Sequence, residues 1–173
     1  KYDESIAAYQ KAVELKPQAN YYTGLSTSLA KAATAQKDPK VAEAKLAEAN
    51  SDCEKAIALD AAGGAGCWKN LGIVLTNKSP KDAVVPLQKA SQADPKDAQT
   101  WYLLGGAYAA NIDSKQQGEK LIYIIPDGAK EAYQKCIDVD PNGPYAKMCK
   151  ETLDGLNALA GGQETTVGKK KKK

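Results

Sequence analysis

Arginine and histidine are both missing from this chain of 173 residues; every one of its 24 basic residues is lysine. Without arginine there is no planar fork to clamp phosphate or carboxylate, and without histidine there is neither a near-neutral acid–base group nor the commonest metal ligand. A Ser/His/Asp or Cys/His nucleophilic set is therefore out of reach, and the carboxylates are scattered along solvent-facing helical positions. These absences point to a non-enzymatic protein that uses no cofactor and no metal. Long apolar runs are lacking as well, so no transmembrane segment is expected.

A strongly basic body is also absent, despite a formal charge of +3. Five lysines form the run Lys169 to Lys173; the remaining 19 face 21 acidic residues, which leaves the rest of the chain near −2. Nucleic-acid binding modules normally carry a basic face, so nucleic acid is not an expected partner. The chain begins at Lys1, without an initiator Met or a leader, directly inside a helical pattern, and reads as a fragment or processed product.

What the sequence does contain is repetition. WKNLGIVL, from Trp68, and WYLLGGAY, from Trp101, share W-x2-L-G-x2-[YL]. After the first come Ala83, Leu87, Ala90 and Pro95, and after the second Ala129, Tyr133, Cys136 and Pro141, with the same internal spacing. A worn copy has Tyr22, Leu25 and Leu29, then Ala49, Cys53, Ala56 and Leu59. This pattern resembles the tetratricopeptide repeat (TPR), an antiparallel helix pair that stacks into a solenoid.

The resemblance implies an all-α TPR solenoid of about three and a half repeats with a small β-hairpin insertion near 111–127. The array would occupy 1–160: a half repeat at 1–17, repeats at 20–60, 66–95 and 98–141, the last with the insertion, and a capping helix at 144–160. A Lys-rich tail would follow at 161–173. Small residues such as Gly72, Gly105, Ala83 and Ala129 let helices approach closely, while Trp68, Trp101, Leu87 and Tyr133 fill the adjoining holes.

Two stretches exceed the repeat spacing. KAATAQKDPKVAEAKLAEAN, from Lys31, is made of strong helix formers and should lengthen both helices of its pair. GEKLIYIIPDG, from Gly118, is β-branched and aromatic after a QQG turn signal, so it predicts a hairpin whose first strand runs from Ile112 to Lys115. Such a hairpin either folds back over apolar surface at one end of the array or offers a strand edge, with Leu121 and Tyr123, to an extended partner. The phrase from Gly118 to Ala146 is similar to a subgroup of secreted bacterial TPR proteins, which implies an envelope location.

The four cysteines straddle two interhelical connections and lack CxxC spacing, which argues against zinc. Cys136 and Cys149 lie at similar depth from the turn at Asn142-Gly143 and should bridge. Cys53 lies deeper than Cys67 by about 7 Å at ideal helix rise, so a bridge there requires a shifted helix start after Gly63-Gly64. Buried thiols are the alternative for all four. Disulfides would imply a periplasmic or extracellular setting; without them a cytoplasmic one stays open.

TPR proteins bind peptides or partner proteins in a concave groove lined by their first helices. Carried over by position, the resemblance places Asn20, Thr23, Thr27 and Lys31, then Lys69, Asn70, Ile73 and Asn77, then Gln99 and Tyr102 in that groove. The family's clamp for acidic carboxyl termini does not carry over: its five positions hold Thr23, Thr27, Asn70, Gln99 and Leu103, and only Asn70 matches. The expected function is a protein-interaction scaffold for a protein or peptide partner. The alternative is a structural subunit that stacks head to tail into a filament, through Ile6, Tyr9 and Val13 exposed at one end and the Met148 to Leu156 stripe at the other.

Overall fold

Asp60 turns the chain through a corner only one residue long. Its N–H closes one helix on the carbonyl of Ala56 at 2.9 Å, and its own carbonyl accepts from Gly64 N at 2.8 Å to open the next. Its carboxylate caps that second helix from Ala62 N at 3.1 Å, satisfying a donor that the helix start leaves free. The other direct links between helices are longer in the computed structural model, which describes residues 1–118 and 120–160. The expected Lys-rich tail at 161–173 lies outside the described residues.

The described chain is a TPR-like solenoid of helix pairs with one small antiparallel sheet. A lone helix α1 (Tyr2–Leu15) packs on α2 (Ala19–Ala35), which pairs with α3 (Pro39–Leu59). The next pair is α4 (Ala61–Thr76) with α5 (Pro80–Ala93), and the third is α6 (Ala98–Ala109) with α7 (Ala129–Val139). Between α6 and α7 stands the hairpin β1 (Asp113–Gln117) and β2 (Lys120–Ile124), and α8 (Ala146–Ala160) closes the array against α7. The alanine-, lysine- and glutamate-rich extra length does lengthen both α2 and α3, at 17 and 21 residues.

Helix starts have local causes. Asp38 accepts from Lys40 N ahead of Pro39, and Asp97 accepts from Gln99 N. Repeats stack because large side chains enter spaces left by absent ones: the Tyr133 ring lies 2.9 Å from where a Cβ on Gly105 would stand, and Leu87 fills the equivalent space beside Gly72. Trp68, Leu71, Leu75 and Leu87 form the middle of the main core, with no more than 2 % of their surface exposed. A second cluster joins Tyr133, Cys136, Cys149 and Leu156 at the far end, with Ile112, Ile125 and Tyr145 packed on it.

Two expectations are corrected. Helix α4 begins at Ala61, ahead of Gly63-Gly64 rather than after them. The one-residue corner then puts Cys53 and Cys67 at equal depth, with Cα atoms 5.4 Å apart, and Cys136 and Cys149 likewise approach to 6.4 Å; both pairs are bridged. Secondly, Ile6, Tyr9 and Val13 are not exposed: Ile6 is buried, and Tyr9 and Val13 pack against the same core, the Tyr9 ring resting on the bare Cα of Gly24. Their apolar stripe is taken up by α2, so the end of the array is less apolar than the half repeat implied.

Candidate partner-binding surfaces

The first helices of the pairs, α2, α4 and α6, lie side by side, since α2 contacts α4 and α4 contacts α6. On α2, the hydroxyls of Thr23 and Thr27 donate to the carbonyls of Ala19 and Thr23, at 2.9 and 2.8 Å, so their protons are used within the helix. Asn20 and Lys31 are exposed. On α4, Asn70 is exposed and Ile73 half-buried, and Asn77, which follows the helix, is exposed.

Lys69 is differently placed. Its ammonium donates to Asp97 Oδ2 at 2.8 Å and to Gln99 Oε1 at 3.4 Å, tying α4 to the start of α6. Asp97 also accepts from Thr100 Oγ1 at 2.7 Å and Gln99 N at 3.1 Å. Burial alone would push the Asp97 carboxyl up, but the hydrogen bonds from Lys69, Thr100 and Gln99, with the Lys69 charge, outweigh it and hold the group below its ordinary value. Lys69 and Gln99 thus serve repeat stacking with the polar groups they would turn to a ligand.

Tyr102 belongs to an aromatic cluster. Its ring meets Tyr133 edge-on at 6.4 Å between centroids and lies tilted beside Tyr145 at 5.4 Å, linking α6 to α7 and to the residue that precedes α8. Burial pushes the Tyr133 phenol up to about 12, with a smaller contribution from Tyr102.

The hairpin carries its apolar residues on one strand. β1 reads DSKQQ and is exposed along its whole length. In β2, Leu121, Ile122 and Ile124 are 39, 36 and 47 % exposed, while Tyr123 is half-buried and β2 lies beside α8. The register runs from Asp113 opposite Ile124 to Gln117 opposite Lys120, so β1 ends two residues later than the sequence suggests. Gly118, at φ +64°, supplies the positive dihedral that a two-residue hairpin loop requires at its first position.

One surface was not foreseen. Between the second helices α3 and α5 runs a groove of ≈ 790 Å³ floored by Leu75, with Leu46, Val85 and Pro86 on its walls and Glu43 and Lys81 at its rim. Lys89 crosses it, pairing with Glu54 at 2.9 Å while its ammonium sits 4.1 Å over the Trp68 ring. Beyond that strap lies a smaller hollow of ≈ 390 Å³. Of the large apolar residues that line it only Val85 is strongly exposed, and single apolar surface residues are too common to signal a groove.

Among the described residues no group of three or more Cys, His, Asp or Glu is placed to hold a metal, and no helix is long and apolar enough to cross a membrane.

No known sequence family matches the chain, and no curated protein does. Among solved structures it is similar to that of MamA, a TPR-like protein, at 22% identity and a TM-score of 0.54 over 92% of this chain and 81% of that one. At that identity the likeness concerns the fold, a TPR-like stack of helix pairs.

Proposed function

We propose that the chain is a non-enzymatic protein-interaction scaffold, and that its partner contacts fall on two surfaces: the hairpin, through Leu121 and Tyr123 with Ile122 and Ile124, and the face of the first helices. The observation that carries this reading is the concentration of exposed apolar side chains on β2. Three large apolar residues more than a third exposed occur within four consecutive positions. Isolated exposed apolar residues are ordinary, whereas contiguous ones mark contact surfaces. On the helical face, Asn20, Lys31, Asn70 and Asn77 keep their polar groups toward solvent, with Ile73 and Tyr102 as apolar contacts and Thr23, Thr27, Lys69 and Gln99 as their framework.

The test is selection of binders from a random peptide library, followed by mapping with two variants. Ile122→Ser/Ile124→Ser reports on the hairpin and Lys31→Ala/Asn70→Ala on the helical face. Loss of binding in either variant supports the reading; a library that yields no binder sensitive to either variant overturns it. A periplasmic or extracellular location belongs to the same proposal and draws on the two bridged cysteine pairs.

Head-to-tail stacking into a filament is the second reading. It draws on Tyr2 and Leu15, exposed on α1, and Met148 and Leu159, exposed on α8. It is the weaker of the two, because Ile6, Tyr9 and Val13, its intended contacts, already pack within the chain.

A further inference from the structure

Two strands alone make a marginal sheet; three or more with an apolar face, or support from a helix, are needed for independent stability. The hairpin has partial support, since β2 lies beside α8 and Ile125 packs on the second core cluster. Its other face, with Ile122 and Ile124, is open.

The backbone of β2 is also half used. Two residues separate the paired Gln117 and Lys120, and such a loop makes that pair hydrogen-bonded. Bonded and non-bonded pairs alternate in an antiparallel ladder, so Lys115–Ile122 and Asp113–Ile124 are bonded pairs as well. Leu121 and Tyr123 therefore turn their N–H and C=O groups to the outer edge. Among the described residues no other element hydrogen-bonds to the backbone of either.

Exposed strand edges are ordinarily blunted by charge, by proline or by a bulge. β1 has such protection in Asp113 and Lys115. On β2 the charge is confined to the first residue, Lys120, and neither charge nor proline stands from Leu121 to Ile125. The stretch Leu121 to Ile124 therefore carries no charge that would repel a second copy of itself, and LIYI is a matching strand.

We infer that the outer edge of β2 pairs antiparallel with β2 of a second copy of this chain, about a twofold axis through Ile122, to give a closed dimer with a four-stranded sheet. This rests on the hairpin being a contact surface, as proposed above, and names its partner. In that register Leu121 of one copy and Tyr123 of the other exchange both N–H···O bonds, and the two Ile122 side chains meet in the non-bonded pair, where Cα atoms come to about 4.5 Å. The contact is the same patch on both copies, so it closes after two subunits and does not grow.

Sedimentation velocity and light scattering on the full chain, from micromolar to millimolar concentration, provide the test. Reversible dimerisation is expected. Ile122→Lys puts two like charges at the axis and should weaken the dimer by at least about tenfold, with unchanged circular dichroism. Ile122→Cys should cross-link under mild oxidation as a covalent dimer, whereas Ile124→Cys, away from the axis, should not. A chain monomeric at every concentration overturns the inference. So does a dimer indifferent to Ile122→Lys that Ile122→Cys fails to cross-link, and so do oligomers that grow with concentration. If the chain stays monomeric yet captures a library peptide through Ile122 and Ile124, the dimer is wrong and the interaction scaffold stands; if neither occurs, the hairpin is no contact surface at all.

Discussion

Gly64 lies against the main chain of Ile57, so close that a Cβ on it would stand 2.6 Å from the Ile57 nitrogen. The two residues face each other across the corner at Asp60, on the last turns of α3 and the first of α4. That approach brings Cys53 and Cys67 within bridging distance.

Two neighbouring glycines of α4 should accordingly respond with opposite signs. Gly64→Ala forces the helices apart and should cost about 1–3 kcal/mol. Gly66→Ala meets nothing within 4 Å and should gain about 0.5–1 kcal/mol from a stiffer unfolded chain and better helix propensity. Urea denaturation of the two variants beside the parent checks both signs.

The bridges close loops of similar length, at separations of 14 and 13 residues, so loss of either should cost about 3 kcal/mol in the chain-entropy account. Their consequences should differ. Cys136→Ala/Cys149→Ala frees α8, whose described contacts are with α7 and, more weakly, β2, whereas Cys53→Ala/Cys67→Ala strikes the middle of the stack. Hydrogen exchange should show protection lost over α8 alone in the first variant and across α2 to α5 in the second.

Acid should act through Asp97. Its folded carboxyl lies below the ordinary value of 3.8, so its contribution is complete above that value and is lost as pH falls below it. Asp97→Asn should remove this part of the acid-unfolding slope and cost about 1 kcal/mol at neutral pH through the weakened cap and the lost bond to Lys69. Lys69→Met should cost less, about 0.5 kcal/mol, because its ammonium is partly hydrated. Thermal melts between pH 2.5 and 7 measure both.

At the alkaline end the sensitive group is Tyr133. A phenol raised from 10.0 to about 12 favours the folded state fully below pH 10 and ceases to do so as pH climbs from 10 to 12. Tyr133→Phe should flatten the stability profile over that interval relative to the parent, with lysine titration common to both chains. Tyrosinate absorbance should place the parent's last phenol near the top of the range.

The stacking was written in residues that the sequence displays directly: Trp68 and Trp101 at the same step of two pairs, and glycine opposite Leu87 and Tyr133. The hairpin was also legible, because β-branched residues between Gly118 and Pro126 break the helical period. What escaped depends on distances that no local pattern sets. The start of α4 was misplaced because paired glycines usually mark a helix end, while here Gly64 is retained for closeness to Ile57. The exposure of Ile6 and Tyr9 was misjudged because a lone second helix still finds one neighbour in α2. The engagement of Lys69 with Asp97 spans 28 positions, and the groove under Lys89 needs three helices to exist at all.

The hairpin enters after Ala109 and the chain regains helix at Ala129, beside Gly128, whose Cα lies under the Tyr108 ring. Departure and return therefore share one doorway at the loop end of a helix pair, and the stacking surfaces of α6 and α7 lie elsewhere. Such a doorway is a grafting point: any segment whose two ends meet can be exchanged for this one while the repeats on either side keep their register, so the contact surface is free to diversify without renegotiating the scaffold.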